Sequence, residues 1–311
     1  MRVKDWWRQR SGERQGLNES ADASRSTATP ANPPLRVAVV SSPRCGNTWL
    51  SKILSSASRL ETIAVHNPRD IPRPLGNSVM LQLHWYREPN FQMFLREHGF
   101  RVITIARHPL DVLVSSWRFR LFDNTHHRWL EGNTELPARR IDAAPCSSAF
   151  VTYATSFGAE NLLCVSYLWW HDPNAIRLRY EDMAADPLWT FRGLYRALGR
   201  EPAISLEDSL HRFDLEWFRR VHHHGWQGRP DIWRELIPWA DAVAIFQRHR
   251  RLFEILGYDI FPETTLSHDD ALLNWRQLNA PVVRDQKGDE VDEAMLAKRS
   301  KTYQAWTGKQ P

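Results

Sequence analysis

From residue 36 onward, short apolar runs alternate with longer stretches in which apolar positions recur every three or four residues. Arg36–Val40, Val79–Leu83, Val102–Ala106 and Ala175–Tyr180 are rich in Val, Ile and Leu. Compact runs of this kind suit strands buried on both faces, as in a parallel sheet. Between them the pattern predicts helices from Thr48, around 90–98, from Pro109 to about Leu121, around 148–171, and from Pro187 to Leu198. Pro109 opens its helix where a missing N–H is harmless, and Gly199 closes the last of the set. A later helix is predicted over Ala240–Leu256, ended by Gly257. Strand and helix in turn imply a single α/β domain, with a central parallel β-sheet, right-handed crossovers and flanking helices. No internal repeat is visible.

Where the pattern fails, it marks boundaries. Residues 1–34 are rich in Arg, Ser, Ala, Thr and Gln and end in Pro30 and Pro33-Pro34, which predicts a disordered leader. Its Trp6-Trp7 pair sits among basic residues, but Asp5, Glu13, Glu19 and Asp22 argue against a transit peptide. The domain is expected over 35–261. Residues 262–311 read as a C-terminal extension, partly irregular, with a short helix at 290–300. The polar stretch 123–145, with Arg139-Arg140, is expected to be a long loop, either a lid or surface decoration.

Composition narrows the class. The 311 residues are 42% hydrophobic, enough for a sizeable core. Forty-one basic and 36 acidic residues leave a net charge of +5 but are mixed along the chain. That distribution suits a small anionic ligand and not a nucleic-acid track. Cys45, Cys146 and Cys164 have no paired spacing, which supports neither a disulfide framework nor a zinc site and fits a reducing cytoplasm. The longest strongly apolar stretch, 161–170, is about half of the roughly 20 residues a transmembrane segment needs.

Candidate chemistry starts where the first strand ends. Ser41-Ser42-Pro43-Arg44-Cys45-Gly46-Asn47-Thr48-Trp49-Leu50 is a strand-to-helix turn whose backbone N–H groups can cradle an anion. The ATPase loop G-x-x-x-x-G-K-[ST] would need glycine at Ser41 and lysine at Asn47. The fixed cation stands instead at Arg44. A second turn, Ala106-Arg107-His108-Pro109, leads into a helix that carries Ser115, so Arg107 and Ser115 could close on one anion. The same residues admit an Arg107–Asp111 pair with Ser115 merely packed in the helix.

Tyr180 ends a predicted strand, at the sheet edge where α/β ligands bind. Glu181 and Asp182 beside it point apart, which suits a cap or salt bridge better than a metal. His84 ends the Val79–Leu83 strand on that same edge and is the candidate general base. His222-His223-His224 lacks the i, i+4 spacing and the partners of a metal site.

The first loop resembles P-[KR]-[SC]-G-[NT]-T-W-L, the 5′-phosphosulfate loop of sulfotransferases that use 3′-phosphoadenosine 5′-phosphosulfate (PAPS). Residues 107–117 are similar to that family's 3′-phosphate segment R-x-P-x-D-V-x-V-S-x-[WY]. Leu178-Arg179-Tyr180-Glu181-Asp182-Met183, with Asp186-Pro187, is similar to its L-x-Y-E-D-[LM]-x-x-D-P turn. The resemblance spans about 36–258 and implies a three-layer fold like that of P-loop nucleotide-binding proteins. It further implies sulfuryl transfer from PAPS to a hydroxyl or amine, without a metal.

On this reading Arg44 and His84 are catalytic, Arg44 stabilising the leaving phosphate. Arg44, Cys45, Gly46, Asn47, Thr48, Trp49, Arg107, Ser115 and Tyr180 bind the nucleotide. The family's base lies in K-T-H, whereas here Gln82-Leu83 precedes His84. Its later R-K-G-x-x-G-D-W-[KR] segment matches poorly in two registers. One uses Arg219-Arg220 with Trp226, and the preferred one uses Gly228 and Arg229. Phe213 is expected either near adenine or in the core. Trp85, Trp117 and Trp129 would suit a carbohydrate or aromatic acceptor. A P-loop small-molecule kinase and a non-catalytic nucleotide-binding regulator are the alternatives.

Overall fold

The computed structural model describes residues 34–121, 124–137, 144–221 and 225–279. The expectations for the leader, Arg139-Arg140, the three histidines 222–224 and a helix at 290–300 lie outside these residues. Five strands, β1 (Arg36–Val40), β2 (Glu61–Ala64), β3 (Val79–Leu83), β4 (Phe100–Ala106) and β5 (Ile176–Arg179), form one parallel sheet in the order β2-β3-β1-β4-β5. Val40 lies beside Leu83 and Val39 beside Ile103. Successive side chains of β1 face opposite ways: Val37 and Val39 join the larger core, Ala38 and Val40 the smaller one. The centre of the sheet is therefore dry on both sides, as its unbroken apolar runs require.

Helices α1 (Asn47–Ser58), α2 (Pro89–Glu97), α3 (Pro109–Phe119), α4 (Ser148–Ala154), α5 (Phe157–Trp170), α6 (Tyr180–Ala185) and α7 (Pro187–Leu198) follow the strands. Short helices α8 (Leu206–Arg212) and α9 (Leu215–Val221) precede α10 (Trp239–Arg248), α11 (Arg250–Leu256) and α12 (His268–Asn279).

Several expectations are refined. α1 begins one residue early, at Asn47, because Gly46 caps it in the left-handed region. The single helix expected over 148–171 is two helices, restarted where the Ser156 hydroxyl accepts the Ala159 N–H. The helix over 240–256 breaks at His249, whose Nε2–H donates to the Ala154 carbonyl at 2.8 Å. The expected loop of 123–145 carries 3-10 turns within Asn124–Gly132, broken by a kink at Trp129–Glu131.

β1 is the topological switch point. The chain steps to one side of it for β2 and β3 and to the other for β4 and β5. The loops leaving β1 and β4 thus part around one crevice at the C-terminal ends of the strands, where open α/β sheets bind ligands.

Candidate active site

The loop after β1 is fixed from below before it meets any ligand. Ser41 Oγ accepts the Ile105 N–H at 2.8 Å, and Ser42 donates its N–H to Ser166 Oγ and its hydroxyl to the Leu163 carbonyl, both at 2.9 Å. Asn47 Nδ2 closes the turn on the Ser42 carbonyl at 2.9 Å. Arg44 and Gly46 both have left-handed backbones, with φ of +66° and +94°. A Cβ on Gly46 would stand 2.7 Å from Tyr180 Cδ2, so only glycine fits. The first bond of α1 runs from Leu50 N–H to the Gly46 carbonyl, leaving the N–H groups before it outside the helix ladder. Cys45 is buried, 3.7 Å from Ser166 Oγ, and burial pushes its thiol up to about 12. It packs the loop floor as an inert thiol and does not line the cavity.

Two arginines serve this loop from different strands. Arg107, at the end of β4, donates from Nη1 to the Arg44 carbonyl at 3.0 Å, and its guanidinium lies 4.3 Å from the Tyr180 ring centre. Its Nε is buried without a hydrogen-bond partner, which leaves a donor for an anion at this place. Arg44 Nε donates to Ser115 Oγ at 3.1 Å, and its guanidinium lies 4.7 Å from the Phe119 ring centre. Ser115 therefore joins Arg44 directly, where the sequence pairs it with Arg107.

Tyr180, the first residue of α6, donates to the Gly228 carbonyl at 2.5 Å and meets Trp49 edge-on. Trp49 Nε1 in turn donates to the Phe213 carbonyl at 2.8 Å, so Phe213 contributes its backbone and its ring stays outside the cavity wall.

Asp111 keeps the ion pair its spacing suggests, but only at long range, and its hydrogen bonds go elsewhere. Arg107 Nη2 is 3.9 Å away, whereas the carboxylate accepts the N–H groups of Asp231 and Trp233 at 2.8 and 3.0 Å. It pins the segment that follows Gly228 to α3. Burial raises its pKa to about 6, against the pull of Arg107 and the two N–H groups. Glu181 is also a tie: it accepts the His108 N–H and the Tyr258 hydroxyl.

His84 follows β3 directly. Its Nδ1 is 2.8 Å from the Ser41 carbonyl, which can only accept, so Nδ1 carries the proton and Nε2 the lone pair. Burial lowers its pKa to about 4, against the Ser41 carbonyl and helped by His66 and Arg44. The ring is neutral at pH 7.

These groups share a cavity of about 390 Å³. Arg44, Gly46, Asn47, Thr48, Trp49, His84, Arg107, Ser115, Tyr180 and Gly228 line it. Arg229 does not; it forms a two-bond pair with Glu235 at 2.5 Å on the surface. Gly225 and Gly228 both line the wall, spaced like the two glycines of R-K-G-x-x-G. The G-x-x-G spacing is the signal that could have found this register, which is masked in the sequence because His223 and His224 stand where the motif has Arg and Lys.

Also unforeseen on the wall are His66, Phe119 and Phe218. Of the three tryptophans suggested for an acceptor, Trp129 lines the cavity. Trp85 binds Glu88 and Trp117 packs between Phe150 and Tyr153. Among the described residues no three histidine, cysteine or carboxylate side chains cluster as a metal site.

The family model described as a sulfotransferase domain matches residues 34–221. Among solved structures, mouse sulfotransferase SULT7A1 complexed with PAP is similar, with a TM-score of 0.53 at 14% identity over 71% of this chain and 85% of that one. Two structures of retinol dehydratase, with androsterone and inactive cofactor PAP and with retinol and PAP, align at a TM-score of 0.43 and 16% identity. They cover 74% of this chain and 84% and 85% of theirs. No curated protein matches the chain.

Proposed function

Since this chain belongs to the sulfotransferase family, we propose that it moves a sulfuryl group from PAPS to an acceptor hydroxyl, releasing adenosine 3′,5′-bisphosphate (PAP). The observation that carries this reading is the convergence of two arginines from separate βα loops on one cavity that also holds a neutral histidine. A nucleotide phosphorylated at both ends needs two such anion sites.

The residues present fit that nucleotide. The N–H groups opening α1 and the Arg44 guanidinium would hold the 5′-phosphosulfate. The unpartnered Nε of Arg107 and the adjoining wall at Gly228 would receive the 3′-phosphate. PAPS supplies the transferable sulfuryl group. Arg44 neutralises the oxygen of the breaking sulfur–oxygen bond, as a permanent charge and not as a proton donor. The acceptor oxygen forms the new bond to sulfur and gives its proton to His84 Nε2. Positioning and charge do most of the work, as in phosphoryl transfer.

Among the described residues no carboxylate lines the cavity, whereas Phe119, Trp129, Phe218 and Trp226 do, which favours a neutral hydroxyl on an apolar or sugar-like body over a cationic amine. The three free cysteines support a cytoplasmic location. Asn47, where a kinase loop has lysine, weighs against phosphoryl transfer from ATP. His84 in the wall weighs against a regulator that only binds nucleotide.

Calorimetry against PAP, ATP and AMP tests the reading. PAP should bind at least tenfold more tightly than either. Preference for ATP would replace the proposal with the kinase.

A further inference from the structure

The chain bends against its own preference beside the cavity. Leu130, Glu131 and Gly132 are left-handed in succession, at φ of +52°, +56° and +87°, a conformation that leucine and glutamate rarely adopt. Runs of this kind persist only where their surroundings over-determine them, and they gather at functional sites. Here Leu130 is fully buried in the smaller core with Leu83 and Trp169. Asn67 Nδ2 donates to Glu131 Oε1 at 2.5 Å, and Asn133 N–H closes on the Leu130 carbonyl at 3.0 Å.

What the turn delivers is the residue just before it. Trp129 is almost wholly buried, stacked on Phe119 at 5.2 Å and 18° and edge-on to His84 at 6.1 Å and 74°. Phe119 in turn lies under the Arg44 guanidinium. One run of ring contacts thus links the cation at the leaving group to the candidate base.

Resting on the proposed role of His84, we infer that Trp129 is a positioning residue of the transfer reaction, holding the imidazole in the orientation and tautomer that leave Nε2 unprotonated. The hydrogen bond from Nδ1 to the Ser41 carbonyl is a single point about which the ring can swing. The indole edge is the second constraint. It shares the cavity wall with the ring, in a place where burial disfavours the imidazolium, His66 and Arg44 add to that, and the Ser41 carbonyl favours it.

The test reads the ring itself and needs no acceptor. Histidine-labelled full-length protein is followed by nitrogen NMR, the His84 signal being identified by its loss in His84→Ala. In the parent, the Nδ1–H tautomer should persist and titration should lie near 4. Trp129→Leu should mix the tautomers and move the titration toward the ordinary 6.5, while Trp129→Phe keeps both near the parent. Trp129→Met replaces the leucine variant if thermal unfolding shows that variant to be unfolded. A folded ringless variant with unchanged tautomer and titration overturns the inference. Turnover of PAPS with 4-nitrophenol as acceptor probe is measured in parallel: full activity in His84→Ala would overturn the base role alone, independently of the ring signals.

Discussion

Arg107 does two things with one guanidinium. It offers a buried Nε to an anion and props the Arg44 carbonyl of the neighbouring loop. A hydrogen bond from a charged group to phosphate contributes about 1.5–3 kcal/mol. Arg107→Ala should therefore weaken PAP binding by about tenfold more than AMP binding, with some loss for both because the 5′ loop loses its prop. Calorimetry with the two nucleotides checks this, and equal losses would remove Arg107 from the 3′ end.

His84→Ala should lower turnover by roughly 10² to 10⁴ with PAP affinity nearly unchanged, since base catalysis acts on the acceptor proton. The sequence alone suggests a rate rising through the ordinary imidazole value, but burial moves that limb down to about 4. The base is active when neutral, so rate should climb from pH 3 to 5 and level above it; a midpoint near 6.5 would mean that the ring is wetter in the working enzyme. Arg107 and His84 directly follow β-runs and Arg44 stands in the turn after one, so their place at this sheet edge is legible in the sequence. Arg229, expected at the nucleotide, stands off the cavity wall in a surface pair with Glu235, and nothing in a sequence tells such a pair from a ligand contact.

At the scale of elements, the β1–α1 turn depends on one missing side chain. Gly46→Ala would force a Cβ into the Tyr180 ring at φ +94°, and strain of this kind costs about 1–3 kcal/mol. The variant should melt lower and lose PAP affinity, because Tyr180 can yield only by giving up its bond to the Gly228 carbonyl. A thermal melt with and without PAP measures both.

Four of the five strands, β1, β3, β4 and β5, with the first residues of α3 and α7, are legible because apolar runs and proline starts are local signals. β2 is not. Glu61–Ala64 is a short edge strand with three exposed positions, so it has no apolar run and is held by its pairing with β3. α12 escaped for a related reason: in its twelve residues only Ala271 and Trp275 are buried. The breaks at Ser156 and His249 depend on each other's neighbourhood, since His249 bonds the last residue of α4. Tertiary contacts of that sort have no periodicity to read.

At the scale of the whole molecule, the proposed reaction asks for no metal, since two fixed arginine charges would face a sulfuryl group less charged than phosphoryl. Turnover should survive excess EDTA, and loss restored by Mg²⁺ would favour the kinase. Acid should be felt more widely. His84, His108 and His249 are all held neutral by burial, each with a ring N–H on a backbone carbonyl. Their folded pKa values lie below the unfolded 6.5, so the stability they contribute is present above pH 6.5 and is lost as pH falls toward the folded values. Asp111 works the other way. Its folded value of about 6 exceeds the unfolded 3.8, so its contribution is full below 3.8 and fades as pH rises through 6. Three groups oppose one between pH 6.5 and 5, and the unfolded chain binds more protons there. Each net proton is equivalent to about 1.4 kcal/mol per pH unit, so the urea midpoint should fall steadily from pH 7 to pH 5. His249→Asn should flatten that slope and Asp111→Asn should steepen it. A midpoint that rises on acidification would mean that the histidines are already hydrated in the folded chain.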